Sequence, residues 1–247
     1  MSKAEKKFGK KGFDARFKEF DQLHKRTVFQ PKKVSELSEE EKKKALESLI
    51  FIKEKRDGML KGRTCADGRK QCSHVKKEDA ASPTVSLEAV LLTCVMEAKE
   101  ERDVAIINIP NVFVQMDWTG EKVIMKLRRR LAEFMMRTSS GLYSEYVTME
   151  NGKAVLYLED LKAIYRCLQS ALLFYLKLKK DLESVRFVLN PYGPCIANKV
   201  IGGKQMTICW HVDNIKASHK SSKVVDKFIQ WLKDKYEEKD IGRLKAT

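Results

Sequence analysis

The chain has 247 residues, enough for one large domain or two small ones, and 43% of them are hydrophobic, which agrees with a folded core. Its 49 Lys and Arg against 34 Asp and Glu leave a formal charge of +15. That surplus favours a polyanionic partner, first of all nucleic acid, and a merely solvated basic surface is the alternative. The chain lacks the ~18-residue apolar run of a membrane span and the apolar stretch of a secretory signal. We therefore expect an intracellular protein, in the cytoplasm or the nucleus, with no membrane partner.

The first 36 residues are rich in Lys and Arg with isolated aromatics between them, which predicts a basic extension that packs loosely. Ser38 and Glu41 then form a capping box, and apolar residues at helical spacing predict a helix to about Lys55. Residues 56–71 carry three glycines among basic side chains. They predict a mobile hairpin that presents cations, with an ordinary polar loop as the alternative.

The middle of the chain predicts one core-facing helix and two strands. The helix begins near Leu87, ends near Arg102 and carries an apolar stripe that we expect to face the core. A continuous apolar run from Val104 to Ile109, broken only by Asn108, predicts a buried strand. A second strand is expected at 123–127, and a further helix at roughly 161–180.

Two successive hairpins are predicted near the C-terminus. Gly202-Gly203 is a two-residue turn signal between arms rich in β-formers, and Asp213-Asn214 is a second turn signal. This places an acidic residue at a tight tip. An amphipathic helix is expected to follow, from about Val224 to Tyr236.

The six cysteines favour reduced, buried thiols, because they lack the paired spacing of a disulfide scaffold or a zinc site. Two incomplete sets remain as zinc alternatives. They are Cys65, Cys72 and His74, and Cys209, His211 and His219.

Several motifs in order give the chain a resemblance to a known family, the reverse transcriptase of copia-type retrotransposons. It extends from about residue 8 to the C-terminus. The motifs are the basic segment 61–71, Ser82-Pro83-Thr84-Val85, Asp103-Val104-Ala105, residues 162–165 and 168–173, and Trp210-His211-Val212-Asp213.

The resemblance implies an α+β fingers-and-palm fold over residues 37–247, with residues 1–36 as the basic extension. The palm sheet would be antiparallel, would carry Asn108 and Asp213, and would be backed by helices. The resemblance also implies that the chain stops, at Leu244-Lys245-Ala246-Thr247, before the primer grip, the thumb and ribonuclease H. The remainder of a retrotransposon polyprotein would then be missing.

The family's catalytic aspartates are only partly present. Its first metal-binding aspartate falls on Asn108, and its paired aspartates at the hairpin tip fall on Asp213 and Asn214. Asp213 is thus the one carboxylate left to bind Mg²⁺, the cofactor that the resemblance implies. Two amides in place of carboxylates change the formal charge of the three positions from −3 to −1, so we expect weak Mg²⁺ binding and an inactive polymerase.

By resemblance, four residues would face the incoming nucleotide. Phe113 matches the aromatic that excludes a ribose 2′-hydroxyl, Gln169 matches a glutamine of the templating pocket, and Arg63 with Lys61 matches the contact with the triphosphate. The implied partners are an RNA or DNA template-primer and deoxynucleoside triphosphates.

Two further positions differ from the family pattern: Arg166 stands where the family usually has Gly, and Gly193 where Asp commonly follows Pro-Tyr. We interpret these differences as decay. Two alternatives to an inactive polymerase stay open. One is a domesticated fragment that binds nucleic acid without chemistry, and the other is a decayed reading frame without a functional product.

Overall fold

The computed structural model describes residues 3–55 and 57–243 of the chain. The predicted stop at Leu244-Lys245-Ala246-Thr247 lies outside the described residues, as do Met1, Ser2 and Arg56. The chain divides into two compact units, unit 1 with residues 1–80 and 116–170, and unit 2 with residues 81–115 and 171–247.

Unit 1 is built on a sheet of six strands with the order β1-β7-β5-β2-β3, and β6 pairs with β7. The strands are β1 (Phe29–Lys32), β2 (Leu46–Glu54), β3 (Leu60–Ala66), β5 (Ile124–Arg128), β6 (Thr148–Glu150) and β7 (Lys153–Asp160). The helices are α1 (Lys3–Lys25, kinked at Gly9), α2 (Glu39–Lys44), α4 (Arg130–Thr138) and α5 (Ser140–Tyr143).

The prediction that the N-terminal segment packs loosely is wrong for its described part. Helix α1 lies along β3, the last strand of the sheet order, and the Glu19 carboxylate accepts a hydrogen bond from the Thr64 backbone N–H at 2.8 Å. Phe20 and Leu23 are buried, and the Phe20 ring packs against Phe134 of α4. Of the aromatics that looked isolated in the sequence, Phe20 is a core residue and Phe8, Phe13 and Phe17 are half-buried, because residues at helical spacing share one face.

The predicted helix from Ser38 to Lys55 is also wrong beyond its first turns. The capping box forms, with Ser38 Oγ accepting from the Glu41 N–H at 3.1 Å, but α2 ends at Lys44. The following apolar residues form β2, which pairs with β3 and, through Leu46, with β5. Spacing alone could not separate the two outcomes, and the strand is favoured by β-branched Ile50 and Ile52 and by pairing on both sides.

The glycine-rich segment after β2 forms part of a β-hairpin, as predicted. Strands β2 and β3 pair in register from Ser48 opposite Ala66 to Glu54 opposite Leu60. Gly62 lies against α1, where an added Cβ would come within 2.7 Å of the Ala15 carbonyl oxygen. The glycine thus permits a close helix-to-strand contact.

Unit 2 is built on an antiparallel sheet of five strands with the order β4-β11-β10-β9-β8. The strands are β4 (Asp103–Asn108), β8 (Val188–Asn190), β9 (Gly193–Ile201), β10 (Lys204–His211) and β11 (Asn214–His219). The helices are α3 (Leu87–Lys99), α6 (Ser170–Ser184) and α7 (Ser222–Tyr236).

Helices α6 and α7 cover one face of this sheet. Tyr175 of α6 stacks on Trp210 of β10, and Tyr236 of α7 donates a hydrogen bond to Asp181 of α6 at 3.2 Å. The predicted turn at Gly202-Gly203 and the predicted C-terminal helix are confirmed. The helix expected from residue 161 begins only at Ser170.

The helix α3 is confirmed, but the prediction that its apolar stripe faces the core is wrong. Its buried residues are Thr93 and Glu97, whereas Leu87, Leu91 and Val95 are exposed. The strand predicted at 104–109 is β4, and its burial alternates, so Ala105 and Ile107 are buried while Val104 and Ile106 are exposed.

The cysteines are all free, and four of them are buried, but Cys72 and Cys94 are exposed, against the expectation. Among the helices of the described residues, none combines the length and apolarity that crossing a membrane requires.

Candidate active site

Three side chains form a row across neighbouring strands at one end of the sheet in unit 2. Asn108 ends β4 and lies opposite Asn214, the first residue of β11, and Asn214 lies opposite His211, the last residue of β10. Residues directly opposite each other in a sheet share a face. The antiparallel register therefore brings positions 108 and 214 together although they are far apart in the sequence.

Hydrogen bonds join the two asparagines to Asp213. Asn108 Nδ2 donates to Asn214 Oδ1 at 3.3 Å and to the Asp213 carbonyl oxygen at 3.4 Å. Asn214 Nδ2 donates to the Asp213 carboxylate at 2.9 Å. A backbone hydrogen bond also joins the two segments, because the Ile109 N–H donates to the Asp213 carbonyl oxygen at 3.0 Å. The three residues are thus linked by hydrogen bonds that the two amide groups donate.

The turn that carries Asp213 has an unusual backbone. It lies one residue earlier than predicted, with Val212 and Asp213 between the strands, and Val212 has a φ of 52°. A β-branched residue rarely adopts a positive φ, and such strain persists only where the surrounding structure holds it. Pairing of β10 with β11 and of β11 with β4 holds the turn on both sides.

These residues do not fit a pair of divalent cations. Hard cations such as Mg²⁺ prefer carboxylate oxygens, and this cluster offers one carboxylate and two neutral amides. The amide of Asn214 already donates to that carboxylate, and the oxygen of Asn214 already accepts from Asn108. Within residues 3–55 and 57–243, no group of three or more His, Cys, Asp or Glu side chains is arranged to hold a metal ion.

Lys61 and Arg63 lie on an exposed face of the hairpin in unit 1. Arg63 is opposite Phe51, and Lys61 is opposite Lys53, so these four side chains share one face of β2 and β3. Phe51 is exposed, an unusual position for a large aromatic residue. The face thus combines three cations with a solvent-accessible ring.

Two neighbouring residues complete this face and were missed as candidates. The Arg63 guanidinium lies over the Tyr165 ring, with 4.4 Å from its central carbon to the ring centroid. The Arg166 guanidinium lies over the Phe51 ring in the same way, at 4.5 Å. Arg166 has a φ of 68°, a conformation that glycine adopts without cost. A positive φ is consistent with the glycine that the resemblance implies at this position, and the Phe51 contact is one that the interpretation as decay did not foresee.

Gln169 lines a cavity of about 410 Å³ in unit 1, together with Gln71, His74 and Lys44. Gln71 is buried and holds the segment before Gln169, because its Oε1 accepts from the Leu168 N–H at 3.0 Å. The same oxygen accepts from the Cys167 thiol at 3.3 Å. Gln71 was not predicted to hold this segment. The signal in the sequence was a glutamine at the end of the basic motif 61–71, but a sequence does not show whether an amide is buried.

The candidate residues divide between the two units. Lys61, Arg63 and Gln169 belong to unit 1, and the cluster at 108, 213 and 214 belongs to unit 2. Phe113 also belongs to unit 2, where it begins a short 3₁₀ turn and is half-buried. The two incomplete zinc sets form no metal cluster among the described residues.

A comparison with known families identifies this mixed α and β structure. A sequence model of the family described as reverse transcriptase (RNA-dependent DNA polymerase) matches residues 33–247. Because that match covers most of the chain, the protein belongs to the reverse transcriptase family. No curated protein sequence matches the chain.

Proposed function

We propose that this chain is the polymerase domain of a copia-type retrotransposon and that it no longer transfers nucleotides. One observation carries the proposal: the family's metal-binding positions are joined here by amide hydrogen bonds between Asn108, Asn214 and Asp213. In intact relatives, divalent cations held by carboxylates activate the primer hydroxyl and grip the triphosphate.

The magnitude of the loss follows from charge. Removing one essential electrostatic stabiliser typically costs about 100- to 1,000-fold in rate. Two of three carboxylates are replaced here, and the remaining one, Asp213, accepts a hydrogen bond from the neighbouring amide. Effects of residues that act as a unit are rarely additive, but we expect the two losses together to leave almost no polymerisation.

The nucleotide-facing roles are part of the same proposal. Lys61 and Arg63 would contact the triphosphate, Gln169 the templating base, and Phe113 the sugar. The shared exposed face of Lys61 and Arg63 supports the first assignment, because two adjacent cations can reach the same polyphosphate. The position of Gln169 at the edge of a cavity supports the second.

Primer extension on a homopolymer template tests the proposal. The natural chain should incorporate no nucleotide above background with Mg²⁺ or Mn²⁺. The control is the chain with Lys61→Gln and Arg63→Gln, which should give the same background. Incorporation by the natural chain that those two changes abolish would overturn the proposal of inactivity.

Metal binding gives a second readout that does not depend on polymerisation. Titration calorimetry should detect little Mn²⁺ binding to the natural chain and measurable binding after Asn108→Asp with Asn214→Asp, because three carboxylates are then adjacent. Equal binding by both proteins would contradict the role assigned to the asparagines.

A second candidate function is nucleic-acid binding without chemistry, and the basic and aromatic hairpin face favours it. Phe51 offers a ring for base stacking, and Lys53, Lys61 and Arg63 offer cations for phosphates. Binding to a primer-template duplex that persists in EDTA would support this function. Binding that requires Mg²⁺ would exclude it.

A further inference from the structure

Helix α3 in unit 2 presents an apolar surface to solvent. Leu87, Leu91, Leu92 and Val95 have exposed fractions of 69, 55, 62 and 64%. Four large apolar side chains on one helix exceed the scattered single exposures that are normal on a surface. We call these four residues the outer face of α3.

Polar contacts fix the helix in this orientation. Lys216 of β11 donates to Thr93 Oγ1 at 2.6 Å and to the Glu97 carboxylate at 2.9 Å. Both partners are on the opposite side of α3 from Leu91 and Val95, and both are buried. Turning the outer face towards the sheet would break a buried ion pair, which is strongly destabilising. The exposure is therefore built into the packing of unit 2.

Charges at the two ends of the outer face suit a second copy of the same helix. Glu88, Leu92, Val95 and Lys99 follow one another at intervals of four, three and four residues, so they form one stripe. All four are exposed. In an antiparallel pair of α3 helices related by a two-fold axis, Glu88 of each copy meets Lys99 of the other while Leu92 meets Val95.

We propose that the chain self-associates through the outer face of α3, packed antiparallel against the outer face of a second copy. A two-fold interface requires a self-complementary patch, and the stripe is one: acidic at its first residue, basic at its last and apolar between. The glutamate and lysine also specify direction, because a parallel pair would place like charges together.

Sedimentation velocity of the purified chain tests this at about 0.3 M salt, where repulsion between two copies of net charge +15 is screened. The natural chain should form a dimer as its concentration is raised to about 100 µM. Leu92→Glu should weaken the dimer about 100-fold, since it buries an unpaired charge. Val200→Glu, at an exposed valine of β9 in the same unit, is the matched control and should leave the dimer unchanged.

Charge reversal tests the antiparallel direction. Glu88→Lys alone and Lys99→Glu alone should each weaken the dimer several-fold. An equimolar mixture of the two variants should recover the affinity of the natural chain, because each glutamate again meets a lysine. Circular dichroism of each variant establishes that the fold is retained.

Any one of three results with the chain in solution would overturn the proposal. They are a natural chain that stays monomeric throughout, a dimer that Leu92→Glu leaves intact, and single-reversal variants whose mixture does not recover. Capture of a monomeric chain by phosphatidylcholine vesicles would also overturn it, since the outer face would then fit a lipid surface instead of a second copy.

Discussion

At the scale of single residues, Asn108 and Asn214 place two neutral amides beside the Asp213 carboxylate. Three carboxylates at positions 108, 213 and 214 would repel one another and need a metal to stay together. The amides of Asn108 and Asn214 instead donate hydrogen bonds within the cluster. We therefore expect this edge of the sheet to fold without a metal.

A stability measurement checks this account. Asn108→Asp with Asn214→Asp should lower the free energy of unfolding in EDTA by about 1–3 kcal/mol, because hydrogen bonds are lost and like charges meet. Saturating Mg²⁺ should restore most of that loss, since a ligand that binds only the folded state stabilises it. Urea denaturation with and without Mg²⁺ measures both effects.

The control for that measurement is Asn190→Asp. Its side-chain oxygen accepts from the Tyr192 N–H in a turn, a bond that a carboxylate can also accept, so the change should be nearly neutral. An equal response of the natural chain and the double variant to Mg²⁺ would contradict the account.

A second residue, Asp160, is buried without compensation. Neither carboxylate oxygen has a hydrogen-bond partner among the described residues, and burial raises the pKa of this carboxyl well above its ordinary 3.8. The folded state binds the proton of Asp160 more tightly than the unfolded state does. The protonated carboxyl therefore contributes stability that is fully present below about pH 3.8, the ordinary pKa of the unfolded chain. This stability is lost as the pH rises through the pKa of Asp160 in the folded state.

Asp160→Asn should therefore stabilise the chain more at pH 7 than at pH 4.5. At pH 7 we expect a gain of about 1–3 kcal/mol, because the neutral amide removes the charge that burial disfavours, while both side chains remain polar. Urea denaturation across this pH range measures it, and Asp14→Asn at an exposed carboxylate is the control. A gain that does not change with pH would show that ionisation of Asp160 is not the cause.

At the scale of elements, helix α1 packs against the hairpin that carries Lys61 and Arg63. It approaches β3 closely at Gly62, and its Glu19 carboxylate satisfies a backbone N–H of that strand. Burial raises the pKa of Glu19, while the Thr64 N–H and the nearby Lys61 and Arg63 lower it. The N-terminal segment is thus part of unit 1 and supports its basic face.

Gly62→Ala tests that contact. The added methyl group would meet the Ala15 carbonyl oxygen at 2.7 Å, so α1 and β3 must separate, and we expect a loss of about 1–3 kcal/mol in the free energy of unfolding. Gly141→Ala is the matched control, because Gly141 is in helix α5 with open space around it. There alanine should be neutral or stabilising. Equal effects of both changes on the free energy of unfolding would mean that the close approach of α1 to β3 does not contribute to stability.

At the scale of the whole molecule, the charge of +15 should dominate any binding to nucleic acid. Affinity for a primer-template duplex should fall steeply between 50 and 200 mM salt, because phosphate contacts release counterions, typically by about 10³-fold or more for six contacts. Lys61→Gln with Arg63→Gln should reduce the salt slope by about two if both residues touch phosphates. Fluorescence anisotropy at several salt concentrations measures the slope.

The control replaces Lys25 and Lys204 by Gln. Both are exposed, and Lys25 pairs with Asp21 on the surface of α1, so they change the net charge equally without altering the hairpin face. A salt slope that both double variants reduce alike would mean that only net charge matters, and the roles assigned to Lys61 and Arg63 would fail.

Local sequence signals determined a definable part of the structure. The turn at Gly202-Gly203, the capping box of Ser38 and the helix α7 depend on neighbours within a few residues, and all three formed as expected. Ordered motifs also led to the reverse transcriptase family, which the comparison then showed, while the copia-type class stays a proposal. The sequence placed Asn108 on a strand and Asp213 at a hairpin tip, which are the two pieces of the candidate site.

The tertiary structure decided the features that depend on distant partners. Residues 46–54 became a strand because β3 and β5 pair with them, and α3 turned its apolar side outward because Lys216 binds its polar side. Arg166 joined the candidate face only through a backbone turn that brings it over Phe51. Periodicity records which residues share a face, but the burial of a face is decided by elements remote in sequence, because pairing and packing are set by the fold as a whole.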